Sequence, residues 1–148
     1  MRIAIGCDHG GIVLKPAVME YLKGKGYEIV DLGSYDNERV DYPLYAAKVA
    51  KAVASGDCEK GILLCGTGIG MSIAANKVKG IRAAVLSDEF SAAACSAHNN
   101  ANILCLGGRV VSPEKAVRLT DLWLSTPFEG DRHVRRLQMI ADLDERKD

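Results

Sequence analysis

The sequence predicts an α/β fold, a three-layer α/β/α sandwich built on a Rossmann-like, five-stranded parallel sheet. Three observations carry this reading. Short apolar runs alternate with helical patterns along the chain, at the spacing of successive βαβ units. Residues 61–65 are apolar without alternation, as in a strand covered on both faces. Polar, glycine-rich segments follow the apolar runs, where parallel sheets place their ligand loops. Helical crossovers between such strands cover both faces of the sheet.

Each element has its own signal. Residues 3–6 are a first strand, followed by a helix over 11–23 with Leu14, Val18, Tyr21 and Leu22 on one face. Gly24 and Gly26 close that helix, as glycine does at helix ends. Residues 27–33 read as a second strand, and Pro43 opens a helix through Ala54, because proline suits a first helical turn. Residues 61–65 are the third strand, leading into a glycine turn and a short helix to Asn76. A fourth strand falls at 83–86 and an alanine-rich helix at 88–98. The fifth strand, 103–106, precedes a helix that Pro113 opens and that runs to about 124; a last helix covers 131–143. No linker, repeat or low-complexity stretch interrupts the pattern, so one domain is expected over 1–148.

Composition narrows the class of function. Hydrophobic residues make up 48% and charged residues 26%, the balance of a soluble globular protein. The 19 basic and 19 acidic residues cancel, so net charge recruits neither nucleic acid nor an acidic membrane, and an anion site must be a local cluster. No apolar run approaches the roughly 18 residues of a membrane span, and Met1 leads directly into a strand pattern without a charged-then-apolar leader. Cys7, Cys58, Cys65, Cys95 and Cys105 are odd in number and form no C-x-x-C pair. A reducing, cytoplasmic location without disulfides is therefore expected.

Three constellations lie near strand ends. Cys7-Asp8-His9-Gly10-Gly11 follows the first strand, and its glycines suit close approach of a ligand to the backbone. Asp8 as a turn or cap residue, with His9 merely hydrogen-bonded, explains the same residues. Cys65-Gly66-Thr67-Gly68-Ile69-Gly70 follows the third strand and opens a helix. Its amides form an anion nest at a helix N-terminus, which favours a thiolate at Cys65. A thiolate facing oriented amides suits proton abstraction beside a carbonyl whose oxygen becomes negative. A tight turn around a core cysteine is the alternative. Dinucleotide, P-loop, C-x5-R phosphatase and zinc patterns all fail here, the first for want of glycine at Met71. The third constellation is His98-Asn99-Asn100 with Arg109 beyond Gly107-Gly108, where His98 at a helix end has a purely structural explanation too.

A fourth feature sits in the last helix. Arg132, Arg135 and Arg136 crowd its first turns while Asp142, Asp144 and Glu145 crowd its end, the reverse of what the helix dipole favours. Arg132 and Arg136 share a face one turn apart and match a phosphate, although a solvated charge run is the alternative.

Together these segments resemble the B-type ribose-5-phosphate isomerases and the related galactose-6-phosphate isomerase subunits. The resemblance spans nearly the whole chain: GCDHGG, ERVDYP, CGTGIGMSIAANK, GIRAA, HNNAN, GGRVV and GDRHVRR occur in that order. It implies that Cys65 shuttles a proton between C1 and C2 through an enediolate, with Thr67 in the same site. The amides of Gly66, Thr67, Gly68, Ile69 and Gly70 are implied to hold the enediolate oxygens. His98 resembles the residue that opens the sugar ring, with Asp8 and Tyr42 positioning it. His9, Arg109, Arg132 and Arg136 resemble a phosphate clamp, and Asn99 a sugar ligand. The resemblance further implies a sugar phosphate substrate, no cofactor, no metal, and a homodimer, alone or paired into a tetramer. Each site is then completed across the interface, His98 among the partner's contributions, and the polar end of the last helix reaches toward the other subunit.

Some members of that family use a glutamate base near positions 69–71, where this chain has Ile69 and Met71, and some galactose-6-phosphate subunits lack the ring-opening histidine, here His98. Both points favour a self-sufficient pentose-phosphate isomerase interconverting ribose 5-phosphate and ribulose 5-phosphate. A six-carbon substrate such as allose 6-phosphate fits the same motifs. A non-catalytic sugar-phosphate or nucleotide binding module explains the glycine loop and arginines but not a helix-end cysteine combined with His98. A metal-dependent isomerase requires converging carboxylates at strand ends, where only Asp8 is found.

Overall fold

The computed structural model describes residues 1–145; the last three residues of the expected 1–148 domain lie outside that range. The elements follow in the expected order: β1 (Arg2–Cys7), α1 (Lys15–Gly24), β2 (Glu28–Asp31), α2 (Tyr42–Ala54), β3 (Lys60–Cys65), α3 (Ile69–Ala75), β4 (Ala83–Val85), α4 (Glu89–Ala97), β5 (Ile103–Gly107), α5 (Pro113–Ser125) and α6 (Arg132–Leu143). The five strands form one parallel sheet in the order β2-β1-β3-β5-β4.

Strand alternation divides the core into two layers. Ile3, Ile5, Ile62, Leu64, Leu104 and Leu106 face α1, α4 and α5, where Leu14, Val18, Ala92, Leu119 and Trp123 meet them. Ala4, Leu63, Ile103 and Cys105 face the opposite layer, where Val49 and Ala50 of α2 and Met71 and Ala75 of α3 pack. Trp123 is wholly buried, and its indole N–H donates to the Ala101 carbonyl at 2.9 Å, so its polar atom is satisfied inside the core.

Two elements differ from the sequence reading. The helix expected from residue 11 opens as a single 3₁₀ turn, Ile12–Leu14, and becomes α-helical only at Lys15. Pro16 explains this: it lacks an amide proton, and its ring collides with the carbonyl four residues back in a continuous α-helix. The second strand spans Glu28–Asp31 rather than 27–33, because the chain turns at Gly33, whose φ is +94°. Beside that turn Lys15 is buried, with Nζ 2.7 Å from Asp31 Oδ1 and donating to the Ser34 carbonyl at 2.6 Å.

Candidate active site

β1, β3 and β5 end side by side, Cys7 paired with Leu64 and Cys65 with Gly107. From there the chain leaves β1 and β5 toward one face and β3 toward the other. The backbone therefore parts around the end of β3, the crevice where open parallel sheets accept ligands.

Three strand-end loops line that crevice and touch backbone to backbone. A Cβ on Gly11 would lie 2.2 Å from the Leu64 carbonyl carbon, and one on Gly10 would lie 2.8 Å from Gly66 N. A Cβ on Gly107 would meet Thr67 at 2.6 Å, and one on Gly108 the Gly10 oxygen at 2.3 Å. The amides of Gly108 and Arg109 then donate to the carbonyls of Cys65 and Gly66 at 2.8 and 2.9 Å. This corrects one sequence expectation. Gly10 and Gly11 serve close packing between loops, not ligand approach alone.

Cys65 is the last residue of β3 and is 5% exposed at the floor of the crevice. Its Sγ accepts the Gly68 amide at 3.1 Å, and Gly68 adopts the left-handed conformation (φ +81°) needed to present it. Thr67 Oγ1 accepts the Ile69 amide at 3.2 Å, leaving its hydroxyl proton available. Asp8 Oδ1 accepts the amides of Gly10 and Gly11 at 2.8 and 3.1 Å, which satisfies the turn-capping reading of that residue. His9 Nδ1 accepts the Val40 amide at 3.4 Å, so the neutral ring carries its proton on Nε2. Arg109 lies against Gly66, with Nη1 2.9 Å from where a Cβ would stand there. The Tyr42 ring covers Gly70 so closely that a Cβ on that glycine would meet it at 2.5 Å. Asp8, His9, Tyr42, Cys65, Gly66, Thr67, Gly68, Ile69, Gly70 and Arg109 thus gather in one place. It offers a thiol, backbone amides, an imidazole and a guanidinium.

His98, Asn99, Arg132 and Arg136 lie elsewhere. α4 returns from the carboxyl end of β4 to the amino end of β5, so His98, which caps it, sits below the sheet. Asn102, just before β5, is level with Gly61, whereas Gly107 is level with Cys65; that interval is roughly 16 Å of strand. Asp8 and Tyr42 therefore do not approach His98 within one chain.

At this lower end the His98 and His133 rings stack, with centroids 4.6 Å apart and planes 17° apart. Glu129 faces both Nε2 atoms, at 3.8 Å from His98 and 3.9 Å from His133. Burial pushes the His133 imidazole down from its ordinary pKa, and the nearby Arg132, His98 and Arg136 push the same way. The sequence reading misses Glu129 and His133. They escape it because His98 lies more than thirty residues earlier and nothing in sequence order brings the three together. A cavity of about 480 Å³ also opens here, lined by Arg82, Asn99, Leu137, Ile140 and Asp144.

α6 carries no acidic residue in its first turn, so Arg132 and Arg136 remain exposed against the helix dipole. Its polar end, expected to reach toward another subunit, also makes contacts within its own chain. Asp144 Oδ2 accepts the Gly80 amide at 3.0 Å, and Glu145 pairs with Lys79. A terminal carboxylate that can close a local ion pair and cap a nearby amide does so.

A doubly wound parallel sheet with a thiol, an amide nest and a guanidinium at its strand ends has the layout of an α/β enzyme that binds a small anionic ligand. Comparison with known proteins makes this specific. A model of the Ribose/Galactose Isomerase family matches residues 3–140, and the chain belongs to that family. It is 47% identical to ribose-5-phosphate isomerase B of Escherichia coli, over 99% of this chain and 98% of that protein. It is 44% identical to a D-erythrulose-4-phosphate isomerase of Pectobacterium atrosepticum, over 95% of this chain and 93% of that protein. The solved ribose-5-phosphate isomerase B of Clostridium thermocellum superposes with a TM-score of 0.96 at 50% identity, over 98% of each chain. The chain is an isomerase with the five-stranded fold of these relatives.

Proposed function

We propose that this chain interconverts D-ribose 5-phosphate and D-ribulose 5-phosphate, with Cys65 as the base. The observation that carries the reading is the Cys65 thiol at the crevice floor, held by the Gly68 amide among exposed backbone donors. In the open-chain aldose the thiolate removes the C2 proton, and that electron pair becomes the C1=C2 bond of an enediolate. Charge moves onto O1, where amides of residues 66–70 stabilise it. The O2 proton passes to O1, Cys65 returns its proton to C1, and O2 becomes the ketone oxygen. His9 and Arg109 take the phosphate from one side.

The active unit is a homodimer, alone or paired into a tetramer. His98, Asn99, Arg132 and Arg136 belong to the same reaction but lie a strand length from Cys65 in their own chain, so a second copy must bring them. There His98 donates a proton to the ring oxygen as the furanose opens, while Arg132 and Arg136 complete the phosphate clamp. α6 supports this pairing, since Val134, Met139 and Leu143 are each more than half exposed along it. One domain over 1–148 holds each half-site. The five thiols are all free, which suits a reducing cytoplasm, and among the described residues no helix is long and apolar enough to cross a membrane.

The test is ketose or aldose formation, in excess EDTA, from ribose 5-phosphate, allose 6-phosphate and D-erythrulose 4-phosphate. Rapid turnover of the ribose compound is expected. Turnover of another sugar alone would keep the chemistry and change the substrate. Turnover only after metal is restored would reject Cys65 acting without one.

A further inference from the structure

The cluster at the lower end of the sheet contains more than ring opening needs. His133 is 7% exposed, and its Nε2 is buried with no hydrogen-bond partner. A buried ring nitrogen left unpaired is costly, so a partner for it is expected. Nε2 of His98 and a carboxylate oxygen of Glu129 face it, and the three donor atoms all lie within 4.8 Å of one another. We propose that His98, Glu129 and His133 form a binding site for a divalent transition ion of the zinc class.

Two imidazoles and one carboxylate leave a fourth position open, the donor set of a three-ligand zinc site. Imidazole nitrogens select zinc, copper or nickel over magnesium and calcium, which prefer all-oxygen shells. Tetrahedral zinc with bonds near 2.0–2.1 Å separates its ligand atoms by about 3.4 Å. Closing from 4.8 Å requires His98 and Glu129 to swing, which their side chains can do at 40% and 51% exposure. His133, anchored by burial, is the fixed ligand. The charges of Arg132 and Arg136, which flank His133 on α6, weaken binding of any cation. The ion occupies His98 Nε2. On the function proposed above, and resting on it, the ion is therefore an inhibitor and not a cofactor.

The experiment is a titration of the intact protein with zinc chloride by calorimetry, repeated with cobalt(II) to read the ligands spectroscopically. One ion per chain is expected, with cobalt bands of nitrogen and oxygen ligation and no thiolate charge transfer. The NMR signals of His98 and His133 should shift while that of the Trp123 indole, buried in the core, stays. Glu129→Gln and His98→Asn, both at exposed side chains, should each weaken binding about tenfold or more. Unchanged affinity in both variants, or loss of binding in Cys65→Ala, overturns the site. Turnover of ribose 5-phosphate, normalised to each protein's zinc-free rate, should fall with occupancy in the parent and resist zinc in Glu129→Gln. Full occupancy without loss of rate overturns the inhibitory role while leaving the proposed reaction intact.

Discussion

Cys65 and His98 stand at opposite ends of the same sheet, the thiol level with Gly107 at the end of β5 and the imidazole below its start. Parallel topology dictates the separation. A loop that follows a strand emerges at its carboxyl end, whereas a residue closing a crossover helix has been carried back to the amino end. A single chain therefore presents two clusters at opposite ends of the sheet. Their chemistries are complementary: one holds the thiol and amides, the other an imidazole and two arginines.

The thiol half-site predicts selective alkylation. Burial pushes the Cys95 thiol up to about 11, and Cys7, Cys58 and Cys105 are raised by burial too. At pH 8 only about one Cys95 in a thousand is a thiolate. Cys65, whose sulfur accepts an amide and faces the crevice, should be the first of the five modified by iodoacetamide, as read by peptide mass spectrometry. Ribose 5-phosphate should protect it. Equal labelling of Cys95 would contradict the assignment of Cys65 as the reactive thiol.

Gly11→Ala should damage catalysis from outside the reacting groups. Its Cβ would lie 2.3 Å from the Leu64 oxygen and 2.6 Å from Cys65 N, both backbone atoms that cannot rotate aside. The end of β3 must move, and overpacking of this kind costs about 1–3 kcal/mol. A shift near 1 Å at the base lowers turnover by about 100-fold. Urea denaturation and steady-state rates check the two parts; an unaltered rate would mean that loop packing does not position Cys65.

The strand ends are legible in the sequence because glycine runs and titratable residues follow apolar strands there. The lower half-site is legible only in pieces. Arg132 and Arg136 stand out against the helix dipole, yet nothing in sequence order shows that Glu129 and His133 meet His98 across more than thirty residues. Helical periodicity over 11–23 runs through Pro16 and so misplaces the start of α1, because the proline ring blocks the preceding turn. The contacts of the polar end of α6 with Lys79 and Gly80 are not legible, because those partners come from a loop distant in sequence.

The buried pair beside β2 predicts a large stability effect. Lys15 Nζ has a carboxylate at 2.7 Å and a carbonyl at 2.6 Å in a site where its side chain is only 7% exposed. Lys15→Ala takes the ammonium from the Asp31 carboxylate and the Ser34 carbonyl, leaving them only the Gly33 amide and the Cys7 thiol, and should cost about 3 kcal/mol. Lys15→Ala combined with Asp31→Ala should recover part of that loss. A midpoint in urea equal to that of the parent would show that solvent replaces the ammonium freely.

Tyr21 gives a pH-dependent prediction. Its hydroxyl donates to Asp121 Oδ1 at 2.6 Å, and burial together with that carboxylate raises its pKa above the ordinary 10.0. A raised folded value means that the stabilisation is complete below about pH 10, the unfolded value. It is lost as pH rises beyond that, because the unfolded chain releases a proton that the folded chain retains. Tyr21→Phe should lower stability near neutrality by about 1 kcal/mol, the worth of the hydrogen bond. The gap between the two proteins should narrow above pH 10 in thermal melts; a gap that stays constant would remove the Tyr21 ionisation from the account.

The separation of Cys65 from His98 makes its own decisive prediction. Cys65→Ala lacks the base and His98→Asn lacks the ring-opening acid, so each homodimer should be about 1000-fold impaired on ribose 5-phosphate. Mixed chains behave differently if each site draws on both subunits. In a two-fold symmetric heterodimer one site combines both lesions, while the other joins intact Cys65 from one chain with intact His98 from its partner. Equal mixing with free exchange makes half the dimers mixed, each with one working site, and should restore about a quarter of parental activity. Subunit exchange can be followed by native mass spectrometry on the same sample. If mixed dimers form and activity stays at the level of the single variants, the two residues do not act in one site. If the His98→Asn homodimer alone retains parental activity, His98 is not the acid, and the stacked pair with His133 serves only the ion or the fold.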